Sequence, residues 1–162
     1  MAKIYISIGS NIEAEKNIRI AIHALQEHYG KLILSSVYES EAVGFDGDNF
    51  LNLVVGLNTE EDVYTVVSTL RKIEDENGRV RSGPRFSARS VDLDLLLYDD
   101  LILQEEGLDI PRDEITKNAF VLLPLDEIAS QLIHPVSGKT ICDHWVSFDK
   151  NSQKLWAIDF KI

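Results

Sequence analysis

Asp92 and Asp94 are separated by a single leucine, and Arg79, Arg81, Arg85 and Arg89 precede them within eleven positions that hold no acid. In a strand, alternate side chains share a face, so these two carboxylates stand ~7 Å apart at ~3.4 Å per residue. Val91, Leu93, Leu95 and Leu97 take the other face and pack inward. Aspartate is a poor strand former, so two on one strand face call for a compensating cation. Carboxylate oxygens suit hard divalent ions such as Mg²⁺, and arginine forks fit phosphate oxygens. The pattern points to a site that grips a Mg–polyphosphate. The plain alternatives are a salt-bridged pair at a strand end and a solvated basic loop. A nucleic-acid surface is a further reading of the same arginines.

The rest of the chain weighs against nucleic acid. Acids outnumber lysine plus arginine 27 to 16, leaving a net charge of −11, and Phe86 is the only aromatic among the arginines. That balance disfavours broad nucleic-acid or anionic-membrane surfaces. One cysteine, Cys142, rules out an internal disulfide framework. No apolar run nears the ~18 residues that span a bilayer. Met-Ala-Lys-Ile-Tyr-Ile does not read as a signal peptide. The expectation is a cytoplasmic protein with one domain over 1–162.

The elements that must position these residues follow from periodicity. Lys3–Ile8 alternates as a strand and runs into Gly9-Ser10-Asn11, a turn whose N–H groups are free to donate. Ile18, Ala21, Ile22 and Leu25 recur at helical spacing within Ala14–His28, and Gly30 supplies a C-cap. Leu32–Ser40 and Phe50–Leu57 are strand-like, with a loop over 41–49 between them. Thr59-Glu60-Glu61-Asp62 resembles a helix N-terminus, with a capping hydroxyl ahead of Val63, Val66, Val67, Leu70 and Ile73, and that helix ends near Gly78. The strongest strand is Val91–Tyr98. Short extra strands at Leu101–Leu103 and Leu108–Ile110, a buried Phe120–Leu125 and a short helix near Lys139–Val146 complete the chain. The order β-α-β-β-α-β predicts an α+β fold, a ferredoxin-like core with a mainly antiparallel sheet, two helices on one face and extra C-terminal elements.

Neither common nucleotide loop, Gly-x-x-x-x-Gly-Lys-Ser/Thr nor Gly-x-Gly-x-x-Gly, occurs. His23, His28, His134 and His144 form no metal-ligand spacing. The local pattern therefore favours positioning and charge neutralisation, the usual route to phosphoryl transfer.

The run Arg85-Phe86-Ser87-Ala88-Arg89-Ser90-Val91-Asp92-Leu93-Asp94 resembles the signature of the 6-hydroxymethyl-7,8-dihydropterin pyrophosphokinases of folate synthesis. Ile8-Gly9-Ser10-Asn11, Tyr38, Phe50-Leu51-Asn52, Glu74, Gly78-Arg79-Val80-Arg81, Asn118-Ala119-Phe120 and Pro124-Leu125 extend the likeness along nearly the whole chain. The resemblance implies transfer of the β,γ-pyrophosphoryl group of ATP to the pterin hydroxymethyl, leaving AMP. It implies two Mg²⁺ ions on Asp92 and Asp94, catalytic Arg79 and Arg89, and ATP contacts from Glu74, Arg81, Arg85 and Arg112. It also implies a pterin slot between Phe50 and Phe120, with Asn52 on the ring edge and backbone contacts from Ser40 to Val43.

Some positions depart from the family pattern. Arg112 stands for a usual His and Asn118 for a frequent Arg. Ser87 replaces Gly, Phe86 Trp, Phe50 Tyr, and Glu41-Ala42 a common Pro-Pro. Losing a charge-assisted contact costs ~1.5–3 kcal/mol. A second expectation is thus a divergent paralogue that binds pterin and nucleotide with low or altered turnover.

Overall fold

The computed structural model describes residues 1–41, 49–76 and 90–162. The expected arginine positions 79, 81, 85 and 89, together with Val43 and Gly78, lie outside the described residues.

The core runs β1 (Ala2–Ser10), α1 (Ala14–Tyr29), β2 (Ile33–Leu34), β3 (Val37–Ser40), β4 (Phe50–Thr59), α2 (Val63–Glu76) and β5 (Asp92–Tyr98). A hairpin of β6 (Leu103–Glu105) and β7 (Leu108–Ile110) follows, then a 3₁₀ turn (Asp113–Thr116), α3 (Ala119–Ala129), α4 (Ile141–Ser147) and β8 (Leu155–Ile158). The main sheet has the order β5-β1-β4-β3-β8, with β2 also on β4, and the pairs are antiparallel. The first four strands of that order reproduce the ferredoxin-like arrangement expected from the sequence.

β1 is central, so both its faces are covered. Ile4, Ile6 and Ile8 pack with Ile18, Ala21, Ile22 and Leu25 of α1 and Val66, Leu70 and Ile73 of α2. Tyr5 faces the other way, into a second cluster with Val54, Leu122, Leu125 and Ile141. Helices α3 and α4 thus cover one end of the opposite face, and the other end of that face stays open.

Several local expectations change. Leu32–Ser40 is broken into β2 and β3, because Ser35 turns inward: its N–H bonds the Val54 carbonyl at 3.0 Å and its Oγ accepts the Val54 N–H at 2.9 Å. Asp62, not Thr59, caps α2, accepting the Thr65 N–H at 2.8 Å. Leu97 leaves the face of Leu93 and Leu95 and joins the second cluster beside Leu96. The β1–β5 register shifts between Tyr5 and Ile6, and such a bulge reverses the side-chain alternation beyond it. β8 was not foreseen: its polar and exposed flanks hide a short edge strand that pairs with β3.

Candidate functional site

The open end of the second sheet face carries the expected residues in a row. Gly9 on β1 lies opposite Asn52 of β4 on one side and Asp92 of β5 on the other. Ser7 lies likewise between Val54 and Asp94. Period-2 alternation on three adjacent strands therefore brings an amide and two carboxylates onto one surface. Above them is a cavity of about 790 Å³, lined by Ser7, Gly9, Ser40, Phe50, Asn52, Asp92, Asp94, Glu114, Asn118 and Phe120 among others.

Gly9 is not in a turn: β1 continues through it to Ser10. A Cβ at Gly9 would stand 2.5 Å from the Asn52 Oδ1, so glycine is needed for the close approach of the Asn52 amide. Ser10 then ties the strand end to the residue after the arginine segment, its hydroxyl donating to the Ser90 carbonyl.

Asn52 is 5% exposed, yet among the described residues its side chain makes no hydrogen bond within the protein. Its amide opens onto the cavity, and an amide in a cavity wall is set up to pair with a ligand that offers both a donor and an acceptor.

Glu74 reaches the site from below. It is 5% exposed on α2, and its Oε2 accepts the Leu93 N–H at 2.8 Å. Leu93 separates the two aspartates, so this bond fixes the strand segment that carries both. Glu74 is absent from the described residues that line the cavity.

Arg112 follows β7 and is docked on β5 by its own N–H, which bonds the Leu96 carbonyl at 3.0 Å. Its guanidinium donates to Glu114 Oε1 from Nε at 3.0 Å and Nη2 at 2.8 Å, and Nη2 lies 3.7 Å from Asp94 Oδ1. Partial burial acts to lower its pKa, but Asp94, Glu114 and Asp113 outweigh that effect and raise it.

A third wall was missed by sequence reasoning. Asn151, Ser152, Gln153, Lys154 and Leu155 line the cavity opposite the aspartates' strand. Gln153 clamps the start of α3: its Oε1 accepts the Ala119 N–H at 2.8 Å and its Nε2 donates to the Lys117 carbonyl at 2.9 Å. Asn118 gives α3 no side-chain cap, so Gln153 supplies the missing acceptor beside Phe120. The partner residues are distant in sequence, and no local pattern announces them.

Of the predicted residues, the structure brings Ser40, Phe50, Asn52, Asp92, Asp94 and Phe120 to one cavity. The described lining is acidic, with Glu41, Asp92, Asp94 and Glu114 against Lys154. A polyphosphate can enter such a wall only with cations. Two carboxylates on one strand face are a donor set that fits Mg²⁺ completed by phosphate oxygens and water. The guanidinium beside Asp94 shows that a positive charge is accommodated there.

The family model described as 7,8-dihydro-6-hydroxymethylpterin-pyrophosphokinase matches residues 5–130. The chain belongs to this family. It is 34% identical over 143 residues to the 2-amino-4-hydroxy-6-hydroxymethyldihydropteridine pyrophosphokinase of Aquifex aeolicus, covering 87% of this chain and 89% of that one. It is 36% identical over 141 residues to the Haemophilus influenzae protein of the same name, covering 85% and 88%. Among solved structures, HPPK-DHPS of Plasmodium falciparum aligns over 90% of this chain with a TM-score of 0.70 at 15% identity. The present chain spans 43% of that longer protein, and at this identity the likeness concerns the fold. The wall at 151–155 lies beyond the segment that the family model matches.

Proposed function

We propose that this chain is an ATP-dependent diphosphotransferase that transfers pyrophosphate from ATP to the hydroxymethyl group of 6-hydroxymethyl-7,8-dihydropterin in folate biosynthesis. The hydroxyl oxygen bonds to the β-phosphorus, the bond from that phosphorus to the α,β-bridging oxygen breaks, and AMP leaves with that oxygen. The hydroxyl proton passes to solvent. Family membership and curated relatives at 34–36% identity support the reaction. The observation that carries it to this site is the unpartnered Asn52 amide in one cavity with Asp92 and Asp94.

Asn52 pairs with the pterin edge, and Phe50 and Phe120 offer the ring their apolar faces. Ser40 and, outside the described residues, Val43 add backbone contacts. Asp92 and Asp94 hold the Mg²⁺ ions, two by family likeness, and bound Mg²⁺ neutralises phosphate charge and orients the triphosphate. Arg79 and Arg89 stabilise charge developing in the transition state, and Arg81, Arg85 and Arg112 bind ATP. Glu74 keeps the ATP contact that the resemblance implies, and its bond to the Leu93 N–H adds a positioning role for the two aspartates. With a net charge of −11, small anionic substrates carried with metal are favoured over nucleic acid. Among the described residues no helix is long and apolar enough to cross a membrane, in keeping with a cytoplasmic enzyme.

The test is AMP formation from ATP and Mg²⁺, with and without the pterin. Pterin-dependent AMP is the expected result. Absence of AMP together with calorimetric pterin binding, in the presence of a non-hydrolysable ATP analogue, favours the divergent paralogue. The engagement of Arg112 with acids and the lack of a cation at Asn118 favour that second reading, in which Asn118→Arg raises the rate.

Gln153 gives a further check. Gln153→Ala leaves the Ala119 N–H short of its acceptor and frees the first turn of α3, which bears Phe120. The pterin KM is expected to rise about tenfold, while stability falls by about 1 kcal/mol. Steady-state kinetics and thermal melting read the two effects separately, and an unchanged KM removes Gln153 from substrate positioning.

A further inference from the structure

Arg112, Asp94 and Glu114 form a group that no step above uses in this arrangement. Their side chains are 36%, 35% and 34% exposed, so the charges are only partly screened by water. The main chain of Arg112 is held on β5, two residues from Asp94, by the bond to Leu96. The guanidinium donates from Nε and Nη2 to one oxygen of Glu114, and the same Nη2 lies 3.7 Å from Asp94 Oδ1, so one nitrogen stands between the two carboxylates.

We propose that Arg112 is a resident counter-ion of Asp94, and that a divalent cation must displace it to bind. This rests on the reading of Asp94 as a metal-binding carboxylate. Two cations in contact with one carboxylate repel each other, so the metal meets an Arg112 penalty in the nucleotide-free protein. A triphosphate offers the guanidinium a better-matched partner. Nucleotide binding draws Arg112 off Asp94, and the carboxylate is released to the metal that the nucleotide carries. The two bindings therefore favour each other, and by linkage the coupling is reciprocal. A histidine in the same place would be largely neutral near pH 7 and would impose a weaker penalty.

The probe is Mn²⁺ alone, added to the full nucleotide-free chain and followed by the electron paramagnetic resonance signal of free Mn²⁺ at low ionic strength. Arg112→Gln is expected to tighten Mn²⁺ binding by about tenfold, the scale for a partly screened contact charge. Arg112→Lys keeps the charge and is expected to stay near the parent. Unchanged or weaker binding in Arg112→Gln, with binding abolished by Asp94→Asn, overturns the counter-ion role and leaves the metal site standing. Equal tightening in Arg112→Gln and Arg112→Lys also overturns it, since charge is then not the cause. If Asp94→Asn leaves Mn²⁺ binding intact, the metal reading itself fails, and the counter-ion role falls with it.

Discussion

Asp94→Ala is expected to lower pterin-dependent AMP formation by about a thousandfold or more and to leave the melting temperature within a few degrees of the parent. The two effects separate because the described contact of Asp94 with Arg112 is weak. Its carboxylate is about one-third exposed, and its ion pair with Arg112 is a 3.7 Å contact, the kind worth ~0–1 kcal/mol. Arg112 keeps Glu114 after the change. Removing one of two neighbouring carboxylates on a strand face also relieves repulsion. On the proposed function the catalytic loss is large because the same carboxylate would hold the cation that neutralises phosphate charge. Measured kcat with saturating substrates, alongside differential scanning calorimetry, decides the matter: full activity in a folded variant removes Asp94 from the metal site.

Gly9→Ala is expected to raise the pterin KM by about a hundredfold with little loss of stability. Within a strand, alanine is ordinarily favoured over glycine by roughly 0.5–1 kcal/mol. Here the new methyl meets the Asn52 Oδ1 at 2.5 Å, which is too close to persist. The struck atom is the end of a rotatable side chain, so the fold relieves the clash by turning the amide rather than moving β4. That turn spoils the two hydrogen bonds proposed for the pterin edge, and each mismatched bond costs about 1–3 kcal/mol. Kinetics over a range of pterin concentrations, with ATP saturating, measure the effect. An unchanged KM would mean that Asn52 does not read the substrate edge.

Much of this fold is legible in the sequence because the core elements are strongly periodic. The apolar face of α1 is the predicted set Ile18, Ala21, Ile22 and Leu25, and Gly30 takes the positive φ of 85° that a helix C-cap favours. The Asp-Leu-Asp spacing places both carboxylates toward the cavity because it needs only strand alternation. What escaped depends on contacts between distant segments. The bulge that reverses Leu97 arises from pairing with β1. The helices over the second face and the β8 wall are fixed by packing, and Gln153 acts on a helix more than thirty residues earlier in the chain. The role of Gly9 was misread because glycine beside serine and asparagine has the composition of a turn, whereas here it answers a side chain on the next strand.

The bond from Leu93 to Glu74 has a consequence for the arginines. It pins the end of α2 to the start of β5, and the Ser10 hydroxyl holds Ser90 to β1 as well. Arg79 comes three residues after Glu76, and Arg89 three residues before Asp92. The chain that carries them is thereby a loop whose two described ends are joined when the domain folds. On the proposed function, the entropy of closing that loop is lost on folding and does not weigh on ATP binding.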